Sequence, residues 1–216
     1  MIISVAHQKG GVGKSTAVFN LAIELGKDYD VEVIDLDVQR TITATQKIRS
    51  NDDSLKPLKI NYLNNESEFE SFFKNQKQDT IYIFDTGGFD SALNRNAIYF
   101  SDLVITPVSD KFNEVSGLMK FKDILSEIKE VTNQDLKVHV LLNNINPQIK
   151  KFDSIKSFLN SNSEFILLDT ILKSRVDYDK ASWLGKSIFE YNKNSKASEE
   201  FKSLIDEIKT ILKLKK

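Results

Sequence analysis

Gln8-Lys9-Gly10-Gly11-Val12-Gly13-Lys14-Ser15-Thr16 is the stretch on which the reading of this chain turns. The apolar run Ile2 to His7 leads into it, and the apolar-periodic segment Ala17 to Leu25 leads away. Strand, glycine-rich turn, helix is the context that a phosphate-binding loop requires. Gly10, Gly11 and Gly13 let successive backbone N–H groups turn inward around a phosphate without a Cβ in the way. The helix that follows brings the positive end of its dipole to the same point. Lys14 is placed to reach the β- and γ-phosphates and Ser15 to hold Mg²⁺ through its hydroxyl. Thr16 offers a second hydroxyl, toward the α-phosphate, and Val12 sits among the cradling residues.

The strict spacing G-x-x-x-x-G-K-[ST] fails, because Gln8 stands where the first glycine belongs. The departure brings in a second lysine, Lys9. Lys9 through Thr16 resembles the deviant phosphate loop of the ParA/MinD family of partition and positioning ATPases. In that family the extra lysine reaches across a nucleotide-sandwich dimer to the nucleotide of the partner. The resemblance implies ATP and Mg²⁺ as cofactors, a homodimer formed on ATP binding, and catalytic work for Lys9 and Lys14.

Outward from the loop, strand-like runs alternate with helical patterns, the signature of an α/β fold. The expected architecture is a doubly wound, mostly parallel twisted sheet with helices on both faces, in a single domain over residues 1–216. Strands are expected at 31–35, 58–63, 80–84, 103–107, 137–142 and 165–172. Helices are expected to about Arg49 and over 67–77, 113–130 and 148–160, with a final amphipathic helix from about Lys196. Open sheets of this kind bind ligands at the carboxyl ends of their strands, and further candidates fall there. Asp35 and Asp37 close the second strand, with Val38 where the family carries proline. Two carboxylates beside a metal–phosphate site can divide the work, one on the metal side and one orienting the attacking water. By resemblance Asp35 takes the metal side and Asp37 the hydrolytic role. Asp85 ends the run Ile81-Tyr82-Ile83-Phe84 as a second metal-side carboxylate, and Gly87-Gly88 after it suit a γ-phosphate sensor or a plain flexible turn. Pro107 resembles the family's segment along the nucleotide, and Asn143, ending a strand, stands where relatives contact adenine.

Composition narrows the rest. The absence of cysteine excludes disulfides, thiol catalysis and iron–sulfur ligation by this chain. Two histidines, His7 and His139, lie in strands and make a zinc site a poor reading. No run approaches a membrane span, and the N-terminus lacks the basic segment of a signal peptide, so the expected compartment is the cytoplasm. The net charge of −1 hides an asymmetry: residues 171–216 carry 11 Lys and Arg against 7 Asp and Glu, a net +4. Lys173, Arg175, Lys180, Lys186, Lys213, Lys215 and Lys216 are the candidate contacts to DNA.

Because the chain starts at its first strand, it resembles the short form of the family, without a DNA-reading N-terminal domain. The resemblance then implies an ATP-bound dimer that sits nonspecifically on nucleoid DNA and is reset by a DNA-bound, ParB-like partner. One alternative is a MinD-like ATPase that cycles on membranes through a terminal helix, here Ile211 to Lys216, although core packing explains that apolar face more simply and no stable membrane association is expected. Another is a metabolic ligase on the same scaffold, which has no use for Lys9.

Overall fold

The computed structural model describes residues 1–214, without the side chain of Ser154. In chain order the elements are β1 (Ile2–Val5), α1 (Lys14–Leu25), β2 (Asp30–Asp35), α2 (Thr41–Arg49), β3 (Lys59–Tyr62), α3 (Glu66–Lys74), β4 (Thr80–Asp85) and α4 (Ala92–Tyr99). They continue with β5 (Leu103–Val108), α5 (Phe112–Thr132), β6 (Val138–Ile145), α6 (Asp153–Asn160), β7 (Phe165–Lys173), α7 (Val176–Trp183), α8 (Ile188–Asn192) and α9 (Lys196–Ile211). The strands form one seven-stranded sheet in the order β3-β2-β4-β1-β5-β6-β7. Every pairing is parallel, so "mostly parallel" becomes all parallel.

Strand side chains alternate between faces, and the core divides accordingly. Ile3, Val5, Val33, Ile83 and Ile105 face α1 and α9, while Val104, Val108, Val140 and Leu142 face α5 and α6. Ile34, Tyr82 and Phe84 meet Phe69 of α3 and Ala97 of α4. The apolar face of α9 is spent in this packing: Phe201, Leu204, Ile205 and Ile208 are buried beneath it, with Ile211, Leu212 and Leu214 against the same cluster. A membrane helix made from that face would have to give up the core. Among the described residues no helix is long and apolar enough to cross a membrane.

Three local expectations change. Asn143 and Asn144 do not follow β6 but lie within it, because the β6–β7 register slips at Leu142 and Ile145 and the strand runs on past the irregularity. Pro107 lies inside β5, buried and opposite Leu141, not at its end. A central strand tolerates it because the β1–β5 ladder stops at Val5 and Ile105, before β1 turns into the glycine loop, so the missing N–H costs no ladder bond. The helix expected from 148 begins only at Asp153.

The largest fully buried side chain is that of Arg49, at the end of a helix that reads as polar in sequence. Its guanidinium donates to Glu190 Oε1 at 2.7 Å and Oε2 at 2.8 Å, to the Gly185 carbonyl at 2.9 Å and to the Lys56 carbonyl at 2.6 Å. Glu190 also accepts from the Ser187 N–H in the capping box that starts α8. The guanidinium is buried and Glu190 partly exposed, and removing one partner leaves the other without its counter-charge. Arg49→Ala is therefore expected to cost about 3 kcal/mol in urea unfolding, with the loss concentrated in the docking of α7 and α8.

Candidate functional site

The site forms where β1, β2, β4 and β6 end on one edge of the sheet. Gly11 (φ 77°) and Gly13 (φ 93°) both adopt the left-handed conformation that the turn into α1 demands. Gly13 is the N-cap of α1, with no side chain in the way of the first N–H groups. Lys14 is buried, and its Nζ donates to the Lys9 carbonyl at 3.0 Å, folding the side chain back over its own loop. Burial holds its pKa below the usual lysine value, partly opposed by the Asp85 and Asp37 carboxylates. Ser15 and Thr16 are half-buried on the first turn of the same helix. The Lys9 side chain is half-buried too, and among the described residues its amine has no hydrogen-bond or ion-pair partner.

The three carboxylates meet beside this loop. Asp35 is fully buried; its Oδ1 accepts the Asp37 N–H at 3.0 Å and its Oδ2 accepts from Thr43 at 3.1 Å. Burial nevertheless raises its pKa. Arg40, in the left-handed region (φ 51°), donates to the Asp35 carbonyl at 2.7 Å and lies over the Tyr62 ring, which ties down the turn that carries Val38 in place of proline. Asp37 Oδ1 accepts the Gln39 N–H at 3.0 Å. Asp85 is fully buried and neither carboxylate oxygen has a hydrogen-bond partner among the described residues. Desolvation pushes its pKa up to about 7, with the Ser15 hydroxyl, outside hydrogen-bond geometry, and Lys14 acting against the shift.

An orphaned buried carboxylate facing a lysine and a serine hydroxyl is a poor structural device and a good place for a cation. Among the described residues no group of three or more His, Cys, Asp or Glu side chains could hold a metal unaided. That fits Mg²⁺, which keeps several waters and takes one or two carboxylates together with phosphate oxygens. The buried acid also has a thermodynamic consequence. Between about pH 4 and pH 7 folded Asp85 keeps a proton that the unfolded chain has lost, so its contribution to stability declines as pH rises through that window. Asp85→Asn is expected to raise the melting temperature of the nucleotide-free protein at pH 8, by an effect on the order of 4 kcal/mol. At pH 4 the difference should vanish, and thermal denaturation at both pH values reads it.

Gly88 lies against the loop itself: a Cβ there would come within 2.7 Å of the Gly10 N and 3.0 Å of the Lys9 carbonyl carbon. The Asp85–Gly88 turn thus touches the phosphate loop directly. A cleft of about 250 Å³ opens beside it, lined by Gly11, Gly13, Thr16, Asn143, Arg175 and Tyr178 among others. Asn143 is in this cleft, but its amide donates to the Val12 carbonyl at 2.8 Å and braces the loop. Pro107 does not line it.

The basic candidates separate. Lys173 Nζ donates to the Ile149 carbonyl at 2.9 Å and Arg175 pairs with Glu200 at 2.5 Å, so both are turned into the cleft wall. Lys180 is exposed and Lys186 half-exposed on the outer side, and Lys213 follows α9. Lys215 and Lys216 lie outside the described residues. Sequence reasoning missed Glu114, which is buried, accepts the Ser109 N–H at 2.7 Å and lines the cleft. It belongs to no motif; it arrives from α5 through the sheet topology.

A parallel sheet with this loop, these carboxylates and this cleft defines a phosphate-loop nucleotide-binding protein. The chain belongs to the CobQ/CobB/MinD/ParA nucleotide binding domain family, whose model matches residues 3–188. The ParA protein of Rhizobium radiobacter is 28% identical over 173 residues, covering 77% of this chain and 75% of that one. In fold, the chain is similar to apo McdA of Cyanothece, with TM-score 0.76 at 14% identity over 96% of this chain and 99% of that one. It is also similar to a plasmid partition protein of Borrelia burgdorferi B31 bound to AMPPNP, with TM-score 0.67 at 20% identity over 97% and 98% of the two chains.

Proposed function

We propose that this chain is a single-domain ATPase of the partition type, cycling in the cytoplasm between a nucleotide-free monomer and an ATP-bound homodimer on nucleoid DNA. The observation that carries the reading is the division between the two lysines. Lys14 occupies the loop and is buried there, while Lys9, on the same loop, has an amine without a partner among the described residues. A lysine without work in its own site is available to the site of a second copy.

Within one protomer, the loop N–H groups and Lys14 bind the phosphates, and Ser15, Asp35 and Asp85 form the metal side. Those three residues would hold Mg²⁺, which would supply charge neutralisation at the phosphates. Asp37 orients the attacking water, and Lys9 completes the partner's site. Positioning and charge stabilisation suffice, without a covalent intermediate. Turnover alone should be slow, and a DNA-bound, ParB-like protein is the proposed activator. Burial of the α9 apolar face supports this reading over a membrane-cycling one.

The test is fluorescence anisotropy on random-sequence duplex DNA with ATP, ADP and no nucleotide. Binding is expected with ATP only. If about four phosphates are neutralised, log K falls against log salt with a slope of about −3.6, roughly a hundred-fold loss from about 50 to 200 mM. Changing Lys213, Lys215 and Lys216 to Gln should flatten that slope. Binding that ignores nucleotide and salt contradicts the proposal.

A further inference from the structure

Local chemistry gives no reason for an arginine at position 40. Arg40 takes a left-handed conformation (φ 51°, ψ 37°), which is unfavourable for an L-residue and suits glycine. It is the N-cap of α2 yet gives that helix no side-chain hydrogen bond, the service that Ser, Thr, Asp or Asn usually performs. It also brings a cation to the positive end of the helix dipole. A residue in such a conformation persists where its surroundings over-determine it, and residues of this kind cluster at functional turns.

The contacts that hold Arg40 come from the neighbouring strand. Nη1 donates to the Asp35 carbonyl at 2.7 Å and Nη2 to Asn64 Oδ1 at 2.9 Å. The guanidinium carbon lies 4.5 Å from the centre of the Tyr62 ring. The β2–β3 register sets Tyr62 opposite Asp35, so the edge strand delivers that ring. The Thr43 hydroxyl gives its one proton to Asp35 Oδ2, and the Tyr62 hydroxyl therefore donates to Thr43 at 2.9 Å. Tyr62 supports the arginine with its ring and the Asp35 carboxylate with its hydroxyl.

Between these anchors lies the turn that carries Asp37. The Arg40 N–H donates to the Asp37 carbonyl at 3.0 Å, which closes a four-residue turn from Asp37 to Arg40. The Gln39 N–H donates to Asp37 Oδ1 at 3.0 Å and sets the carboxylate on that turn. Common turns favour Asp first, proline second and glycine fourth. Here the first position conforms, but Val38 and Arg40 stand second and fourth. Val38 is 68% exposed, so packing does not fix it either. The Arg40 side chain supplies what the turn residues lack, by tying the fourth residue to Asp35, Tyr62 and Asn64.

We infer that Arg40 is a positioning residue for hydrolysis: clamped on Tyr62 and Asn64, it fixes the turn that carries the water-orienting Asp37. The inference rests on the hydrolytic role proposed for Asp37 and adds the residues that hold it in place. Arg40, Tyr62 and Asn64 do not line the nucleotide cleft. Their effect therefore falls on the chemical step and leaves nucleotide binding alone.

Arg40→Gly is the decisive variant, because glycine accepts the left-handed conformation and only the clamp is lost. Val38→Pro is its complement: Val38 has no positive φ, and its N–H makes no hydrogen bond among the described residues. The full chain is followed by unstimulated single-turnover phosphate release from Mg-ATP, by ATP affinity, and by hydrogen–deuterium exchange of residues 36–43 without nucleotide. Arg40→Gly is expected to exchange faster in that segment and to hydrolyse about ten-fold more slowly. Its ATP affinity should be unchanged and its melting temperature should move by no more than about 4 °C. Adding Val38→Pro to Arg40→Gly should slow the exchange again and recover most of the rate. Wild-type hydrolysis by Arg40→Gly, beside a slow Asp37→Ala, overturns the inference and leaves the role of Asp37 standing. Wild-type rates in both variants overturn the two together. Slow hydrolysis with unchanged exchange, with lost ATP affinity, with a larger fall in melting temperature, or without recovery in the double variant also overturns the inference.

Discussion

Asp37→Ala is expected to cut activator-stimulated ATP hydrolysis by about a hundred-fold or more while leaving ATP-driven assembly intact. Asp37 stands two residues past the end of β2, close enough to Lys14 and Asp85 to act on both electrostatically. Among the described residues only its Oδ1 accepts a hydrogen bond, from the Gln39 N–H. Its carboxylate is therefore positioned by its neighbours and still has an oxygen for a water. Asp35 cannot take over: it is fully buried, and both its oxygens already accept, from the Asp37 N–H and Thr43. Single-turnover phosphate release with and without activator is the measurement. A variant that hydrolyses at the wild-type stimulated rate would move the water-orienting role to the Asp85 turn.

The elements around that carboxylate were legible to very different degrees. β1, the loop and α1 could be read because glycines and a Lys-Ser pair leave almost no other conformation. β2 and β4 could be read because a buried run stops abruptly at a charge, Asp35 and Asp85. α9 was legible from its spacing alone. By contrast α4, α7 and α8 left no clear signal: they span 8, 8 and 5 residues, and α7 turns apolar side chains outward, inverting the usual pattern. Arg49 looked like the solvated end of a polar helix, since its partner Glu190 is 141 residues away and no local pattern connects them. Pro107 looked like a strand terminus because the early end of its neighbour β1 is a property of the sheet and not of the segment. Gly88 read as part of a γ-phosphate sensor or of a plain flexible turn; that its backbone lies on Gly10 depends on β4 being next to β1.

The second large effect separates the two lysines. Lys14→Ala removes the buried cation of the loop, and nucleotide affinity is expected to fall by about a hundred-fold or more, as for other desolvated charge pairs broken on one side. Lys9→Ala removes an amine without a partner among the described residues, so ATP affinity of the monomer should change by no more than a few-fold. Its loss should appear only on assembly, where the partner's phosphates would face an uncompensated charge. A metabolic enzyme on the same scaffold would keep full activity in this variant as a dilute monomer.

Light scattering with ATP and with ADP on the wild type and on Lys9→Ala decides the matter. With ATP the wild type is expected at twice the 24.6 kDa monomer mass, and with ADP at the monomer mass. Lys9→Ala should remain monomeric with either nucleotide while still binding ATP. Dimer formation by Lys9→Ala at the wild-type level would contradict the trans role of Lys9.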